Sequence, residues 1–374
     1  MTQGYDAVLL VSFGGPDGPD DVIPFLENVL RGRNVPRERL LEVSEHYQHF
    51  GGKSPINDQN RDLLAALRRE LELHGPNLPV YWGNRNWHPL LTDTLREMAD
   101  AGVRRAVAFV TSAYSSYSGC RQYRENIAAA CEALGARAPQ VDKLRVFFNH
   151  PGFVGPMAKN VADCVARFPP GERATTPVLF TAHSIPTTMA DSCKYVAQLQ
   201  EACRLVASQA GVPRWELVFQ SRSGPPTQPW LEPDVCDRIR ALHTAGTDRV
   251  IVAPVGFISD HMEVLYDLDT EARQACHSLG MRMERAATVG TAPAFVSMIR
   301  ELISERHSEA TARLALGNLP ASHDICPLDC CPAPQRPAAA GGRPGSPPPG
   351  SPPPGSPPPG SPPPGSPPPA APSR

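Results

Sequence analysis

AVLLVSFGGP at residues 7–16 and PVLFTAHSIP at residues 177–186 share one plan: an apolar run, a turn and a proline. A short unbroken apolar run closed by a turn signal reads as a strand buried on both faces, the kind found in parallel sheets. Outward from each copy, the surroundings recur in the same order. VYWGNR (80–85) is echoed by VFQSR (218–222), and AGVRRAVAFVTSAYSSY (101–117) by AGTDRVIVAPVGFISDH (245–261), each long stretch opening on an Ala-Gly helix exit. Strands are predicted at Ala7–Phe13, Val80–Gly83, Ala106–Ala113, Val178–Ala182, Leu217–Gln220 and Val250–Val255. Amphipathic helices separate them, as at Asn60–Leu73, where Leu63, Leu64, Leu67 and Leu71 form one stripe. The expectation is α/β, with parallel sheets in two similar halves, 1–145 and 146–318, meeting near Asp142–Pro151. A third segment, 319–374, carries cysteines and a Pro-rich tail.

Composition narrows the function. Of 44 prolines in 374 residues, twenty lie in Pro332–Arg374, which holds three arginines and no acid. The body before it has 33 basic and 38 acidic side chains, with its arginines scattered, which speaks against nucleic acid as a partner. MTQGYDAVLL lacks a basic n-region, and no apolar run approaches the ~20 residues that span a bilayer. A cytoplasmic protein without a transmembrane segment is expected. Five Gly-Ser-Pro-Pro-Pro copies from Gly345 to Pro369 favour solvated polyproline II interrupted by glycine. Such a tail is either low-complexity extension or a ligand for a Pro-binding partner.

In open parallel sheets, ligands sit beyond the carboxyl ends of the strands. The first such end, Gly14-Gly15-Pro16-Asp17-Gly18, lacks the G-x-G-x-x-G spacing that cradles a pyrophosphate, so a dinucleotide oxidoreductase is disfavoured. The fourth predicted strand delivers His183 at its end, in the position Phe13 takes in the first half. The last leads into SDHMEVLYDLDTE, where Glu263, Asp267 and Glu271 recur every four residues. Like charges at that spacing cost a helix about 0.2–0.5 kcal/mol per pair. The bland alternative is a solvated acidic face, but Val264, Leu265 and Leu268 pull the helix against the body, and a half-buried carboxylate row calls for cations. With His183 facing Glu263, imidazole plus carboxylate suits Fe²⁺ and its neighbours. The first half supplies aromatics instead: Trp82, Trp87, Tyr114, Tyr117, Tyr123, and His46 to Phe50, with Arg31 and Arg33 flanking Gly32. Such a lining suits a flat apolar ligand with peripheral carboxylates.

Ten cysteines in such a protein are not a disulfide framework. Seven are spread through the body, while Cys326, Cys330 and Cys331 crowd into CPLDCCP. Three thiols in six residues suggest part of a cage for an iron–sulfur cluster or zinc, needing a fourth ligand from elsewhere; incidental thiols are the alternative.

Seven stretches together resemble the ferrochelatase family: SFGGPDGPDDVIPFLENVLRGR, HFGGKSPIN, GNRNWHP, TSAYSSYSGCRQY, LFTAHSIP, FQSRSGPPTQPWLEPDV and APVGFISDHMEVLYDLD. They cover Asp6 to about Arg306. The resemblance implies two Rossmann-like domains of the chelatase fold around a porphyrin cleft, with Fe²⁺ as the substrate inserted. It matches His183 and Glu263 to the facing metal-site pair, Ser54 and Tyr123 to porphyrin contacts, and Asp267 with Glu271 to an acidic metal path; Arg31 or Arg33 would hold propionates. Firmicute-type members carry tyrosine where this chain has Phe13. The actinobacterial type is most similar, implying coproporphyrin III as substrate, and some members hold a [2Fe–2S] cluster on one internal and three C-terminal cysteines. Cys326, Cys330 and Cys331 are matched to those three, with Cys164 preferred over Cys120 as the fourth. A protoporphyrin IX ferrochelatase, a non-catalytic haem carrier and a cobalt chelatase are the rivals; transient haem-pathway enzymes are conceivable partners.

Overall fold

In a computed structural model, residues 4–32, 35–224, 227–307 and 312–333 are described. Arg33 and the Gly-Ser-Pro-Pro-Pro repeats lie outside the described residues. Eight strands build two four-stranded sheets. The first holds β1 (Ala7–Ser12), β2 (Val80–Asn84), β3 (Arg105–Val110) and β4 (Gln140–Lys143) in the order β2-β1-β3-β4. The second holds β5 (Val178–His183), β6 (Trp215–Gln220), β7 (Arg249–Ala253) and β8 (Arg282–Arg285) in the order β6-β5-β7-β8. All six neighbouring pairs are parallel. Raising each number in the first order by four gives the second, so the sequence echo is a repeat of topology.

The strands escaping sequence analysis are β4 and β8. QVDK and RMER are four-residue edge strands, mostly half-buried, and an edge needs no continuous apolar run. The central β1, by contrast, is buried at every residue.

One apolar core runs through both sheets, from Val8, Leu10 and Phe109 to Val178, Phe180 and Ile251. The helix Pro293–His307, late in the chain, returns to pack on Ile56–His74 and Pro151–Ala166. Arg300 reaches Glu70 at 2.8 Å, and Arg145 meets Glu305 at 2.7 Å with both side chains almost wholly buried. The turn after β3 is pinned to the second half: Tyr114 donates to the Val255 carbonyl (2.8 Å), and Gln198 exchanges hydrogen bonds with Ser115 (2.7 and 3.0 Å).

Both halves also wind a π-helical segment after their third strand, Tyr117–Arg121 and Leu265–Ala272. This wider winding replaces the α-helix expected over the acidic row, and still keeps residues four apart near one face. No helix among the described residues is long and apolar enough to cross a membrane.

Candidate functional site

His183 is the last residue of β5, aligned with Gln220 of β6. Its place is set by close approach of the neighbouring strand end. Gly256 donates its N–H to the Thr181 carbonyl at 2.9 Å, and a Cβ at Gly256 would stand 2.7 Å from the Cα of Ala182. Only glycine lets the turn after β7 come that near. Tyr195 holds the His183 carbonyl at 3.0 Å, and Ser184 donates its N–H to Gln220 at 2.7 Å.

The imidazole is oriented as well as placed. Nδ1 lies 2.5 Å from the Ser184 carbonyl, which can only accept, so Nδ1 carries the hydrogen. In the neutral ring the lone pair is therefore on Nε2, which faces Glu263 Oε2 at 3.6 Å. His183 is one-third exposed and Glu263 half-exposed, so this pair is open to an incoming ligand.

Behind it lies Asp267, one carboxylate deeper. Ser221 and Gln220 both donate to its Oδ2, the latter at 3.2 Å. Burial nonetheless pushes its pKa up to about 7; the Ser221 hydrogen bond opposes that, and the charges of Glu263 and Glu271 add to it. Glu271 is raised too, by burial and then by Asp234. Among the described residues, no lysine or arginine pairs with Glu263, Asp267 or Glu271. The other acids of the segment are neutralised: Asp260 and Asp269 both bind Arg285, at 2.9 and 2.8 Å. The structure thus separates an unneutralised row from a structural ion-pair network within one stretch of sequence.

A second imidazole went unnoticed in the sequence. Burial lowers the pKa of His261, which feels the charges of Glu263 and His183; its position two residues before Glu263 was the available signal.

From the first half, the helix Arg37–His49 leans over the acidic segment. His46 stacks on Tyr266 with ring centres 3.8 Å apart, and the Tyr47 pKa is raised by burial and by Glu263. Phe25 packs edge-on against Phe13, Tyr47 and Trp87, giving an aromatic wall. Phe13 itself is 36% exposed, and Arg85 lies over its ring and over that of Tyr123, at 5.6 and 4.4 Å. Arg85 is further held by Asn126 at 2.7 Å. No carboxylate of the described residues pairs with it, so the pinned guanidinium can receive an anion.

The other expected residues are distributed as follows. Tyr123 is buried beneath Arg85. Ser54 is buried under Gly15, where an added Cβ would stand 2.7 Å from its own. Arg31 is exposed just past the helix Val22–Val29.

The cysteines are a correction. Cys164 lies in the helix Pro151–Ala166, buried in the main core near Arg167 and Glu284, and is not with the C-terminal trio. Cys120 is: it shares a pocket with Cys326, Cys330 and Cys331, lined also by Arg121, Arg124 and Lys143. Cys120 and Cys326 are hydrogen-bonded thiols, which drops the Cys326 pKa to about 7, and Cys330 and Cys331 stand 3.7 Å apart. Arg121 holds the Leu328 and Cys330 carbonyls at 2.9 and 3.3 Å, and Arg124 those of Cys326 and Pro327 at 3.3 Å each. Four soft donors under cationic side chains fit an anionic thiolate-held cluster.

This site can bind a planar polycarboxylate against aromatic rings while offering imidazole and carboxylate to a cation or to protons leaving the ligand. A family model described as Ferrochelatase matches residues 5–307. A Rhodopirellula baltica protein named Ferrochelatase is 58% identical over 327 residues, covering 87% of this chain and 93% of its own. A Streptomyces coelicolor protein named Coproporphyrin III ferrochelatase is 54% identical over 348 residues, with the same coverage of each. Among solved structures, SirB from Bacillus subtilis with Fe³⁺ has a TM-score of 0.51 at 10% identity, over 80% of this chain and 96% of that one, a likeness of chelatase fold alone. Matched along the body that carries both sheets and the His183–Glu263 pair, the chain belongs to the ferrochelatase family.

Proposed function

We propose that this protein inserts Fe²⁺ into coproporphyrin III, releasing two pyrrole protons. The observation that carries the proposal is the oriented His183–Glu263 pair backed by an unneutralised acidic row. His183 Nε2 takes a pyrrole proton or binds the entering iron, and Glu263 stabilises the resulting positive charge. Asp267, with a pKa of about 7, accepts the proton from that pair at neutral pH, and Glu271 continues the row outward. The wall of Phe13, Phe25 and Tyr47 receives the macrocycle face, with Ser54 and Tyr123 shaping the floor beneath it. Arg85 and either Arg31 or Arg33, the latter outside the described residues, supply cations for its carboxylates. Coproporphyrin III rather than protoporphyrin IX is favoured by the names of relatives such as the Streptomyces coelicolor protein. The halves 1–145 and 146–318 act as the two walls, and the protein works in the cytoplasm, with other haem-pathway enzymes as transient partners.

Cys120, Cys326, Cys330 and Cys331 would hold a [2Fe–2S] cluster, which when bound supplies redox-active, structurally bracing iron outside the insertion site. Their Arg121 and Arg124 contacts tie the C-terminal segment to the turn after β3.

The test offers Fe²⁺ and either porphyrin to the purified protein under anaerobic conditions and follows metalloporphyrin absorption. Turnover should be fastest with coproporphyrin III. Equal or faster turnover of protoporphyrin IX overturns the substrate, and no insertion into either overturns the activity.

A further inference from the structure

His323 stands beside the thiols without a part in the cluster proposed above. Its Nε2 lies 3.7 Å from Cys330 Sγ, which lies 3.7 Å from Cys331 Sγ. The ligand atoms of His323, Cys326 and Cys330 all fall within 4.8 Å of one another. Tetrahedral zinc, with Zn–S of about 2.3 Å and Zn–N of about 2.1 Å, spaces its ligand atoms about 3.6 Å (N to S) and about 3.8 Å (S to S) apart. The His323–Cys330 separation already matches the first of those edges. The three residues follow one another as H-x₂-C-x₃-C, short enough for a single loop to close around one ion.

The loop is held for this geometry from outside. Arg313 pairs with the Asp324 carboxylate at 3.3 Å and donates to the Ser322 carbonyl, holding the residues on either side of His323. Arg121 and Arg124 fix the carbonyls between Cys326 and Cys330. Cys331 has φ +51°, a left-handed turn that a non-glycine residue adopts only where its surroundings impose it. Cys331 Sγ does not join the His323, Cys326 and Cys330 group. Cys193, another thiol nearby, instead donates to the Met189 carbonyl at 3.2 Å.

We propose that His323, Cys326 and Cys330 form a three-ligand mononuclear site for a thiophilic divalent cation of the zinc class, with the fourth position left to water. Binding displaces the thiol protons to solvent and involves no redox change. Two thiols are shared with the [2Fe–2S] reading, so the two occupancies exclude each other, but Cys120 and Cys331 belong only to the cluster and His323 only to the mononuclear site. Cation supply would then decide which metal braces the C-terminal segment.

The experiment titrates Co²⁺, a visible reporter of tetrahedral thiolate sites, into full-length protein stripped of metal anaerobically, then displaces it with Zn²⁺. One Co²⁺ per chain is expected, and His323→Ala should weaken it by more than about tenfold, a ligand being worth at least as much as its supporting shell. Cys120→Ala should leave Co²⁺ affinity within about twofold while abolishing cluster absorption in protein reconstituted with iron and sulfide. His323 is exposed, and equal melting temperatures of the stripped proteins establish that His323→Ala folds. Unchanged Co²⁺ affinity in His323→Ala, or its loss in Cys120→Ala, overturns the mononuclear site. Porphyrin insertion by the same preparations reports separately on the activity.

Discussion

The ends of β1 and β5 occupy the same place in two sheets of identical order, yet carry opposite chemistry. In the first half, Phe13, Arg85 and Tyr123 stack into a column of rings and guanidinium. In the second, His183, Gln220 and Asp267 form a column of imidazole, amide and carboxylate. Arg85 and Gln220 sit at matching ends of β2 and β6, and Tyr123 and Asp267 at matching turns of the π-segment region. The backbone repeat therefore fixes where a ligand must sit, while the side chains at three positions decide which wall holds it and which wall reacts. The two walls also differ in how they treat charge. A guanidinium between aromatic faces is comfortable unpaired, whereas a carboxylate under the surface is pushed toward its neutral form.

The severest break of this contrast gives the second half the residue of the first. His183→Phe should lower iron insertion by roughly 10²–10⁴-fold, the range for losing a positioned proton acceptor. Porphyrin binding, read by fluorescence quenching, should survive within about threefold. Residual turnover near that of the parent would remove His183 from the chemistry.

Asp267→Asn comes next, with about a tenfold loss of kcat at pH 7, and it carries a second readout. Because the folded-state pKa of about 7 exceeds that of an ordinary carboxylate, the native protein binds this proton more tightly than the unfolded chain. Stability from this group is full below the unfolded value and is lost as pH rises through about 7. The parent should thus melt progressively lower between pH 5 and pH 8 (values set by that pKa), and the asparagine variant should lose part of that slope. Parallel melting profiles would show that Asp267 is charged throughout.

On the other wall, Arg85→Met keeps bulk and removes charge. It should weaken coproporphyrin III binding by about three- to tenfold and flatten its salt dependence, with kcat changed less. Unaltered salt dependence would mean that Arg85 serves only to prop Tyr123. The smallest effect is assigned to Phe13→Tyr, which adds a hydroxyl at the end of β1, in the place His183 takes at the end of β5. A change in KM of less than about threefold is expected, and a large change in kcat would show that the first wall also touches the metal.

Much of this contrast was legible without coordinates. β1 and β5 announce themselves because central parallel strands must be apolar on both faces, and His183 and Glu263 stand where such strands and their turns end. What stayed hidden has physical causes. β4 and β8 are polar edges and carry no apolar run. The winding of Leu265–Ala272 leaves nearly the same side-chain periodicity whether it is α or π. Asp260, Asp267 and Asp269 look alike in sequence, but Arg285 from β8 neutralises only the first and last. Cys164 was preferred over Cys120 as the partner for the trio, and chain separation says nothing of which one a returning segment will meet.

By itself, then, the amino-acid order determined the α/β class, the doubled strand pattern, the acidic spacing and the crowding of three cysteines, because these rest on local periodicity and residue type. The tertiary structure alone decided that Nε2 of His183 is the free nitrogen, that Asp267 is raised to about 7 while its neighbours are paired, and that Cys120 joins the C-terminal thiols with His323 beside them. Those outcomes depend on which distant groups share a few ångströms of space, and desolvation and hydrogen bonding act only over that range.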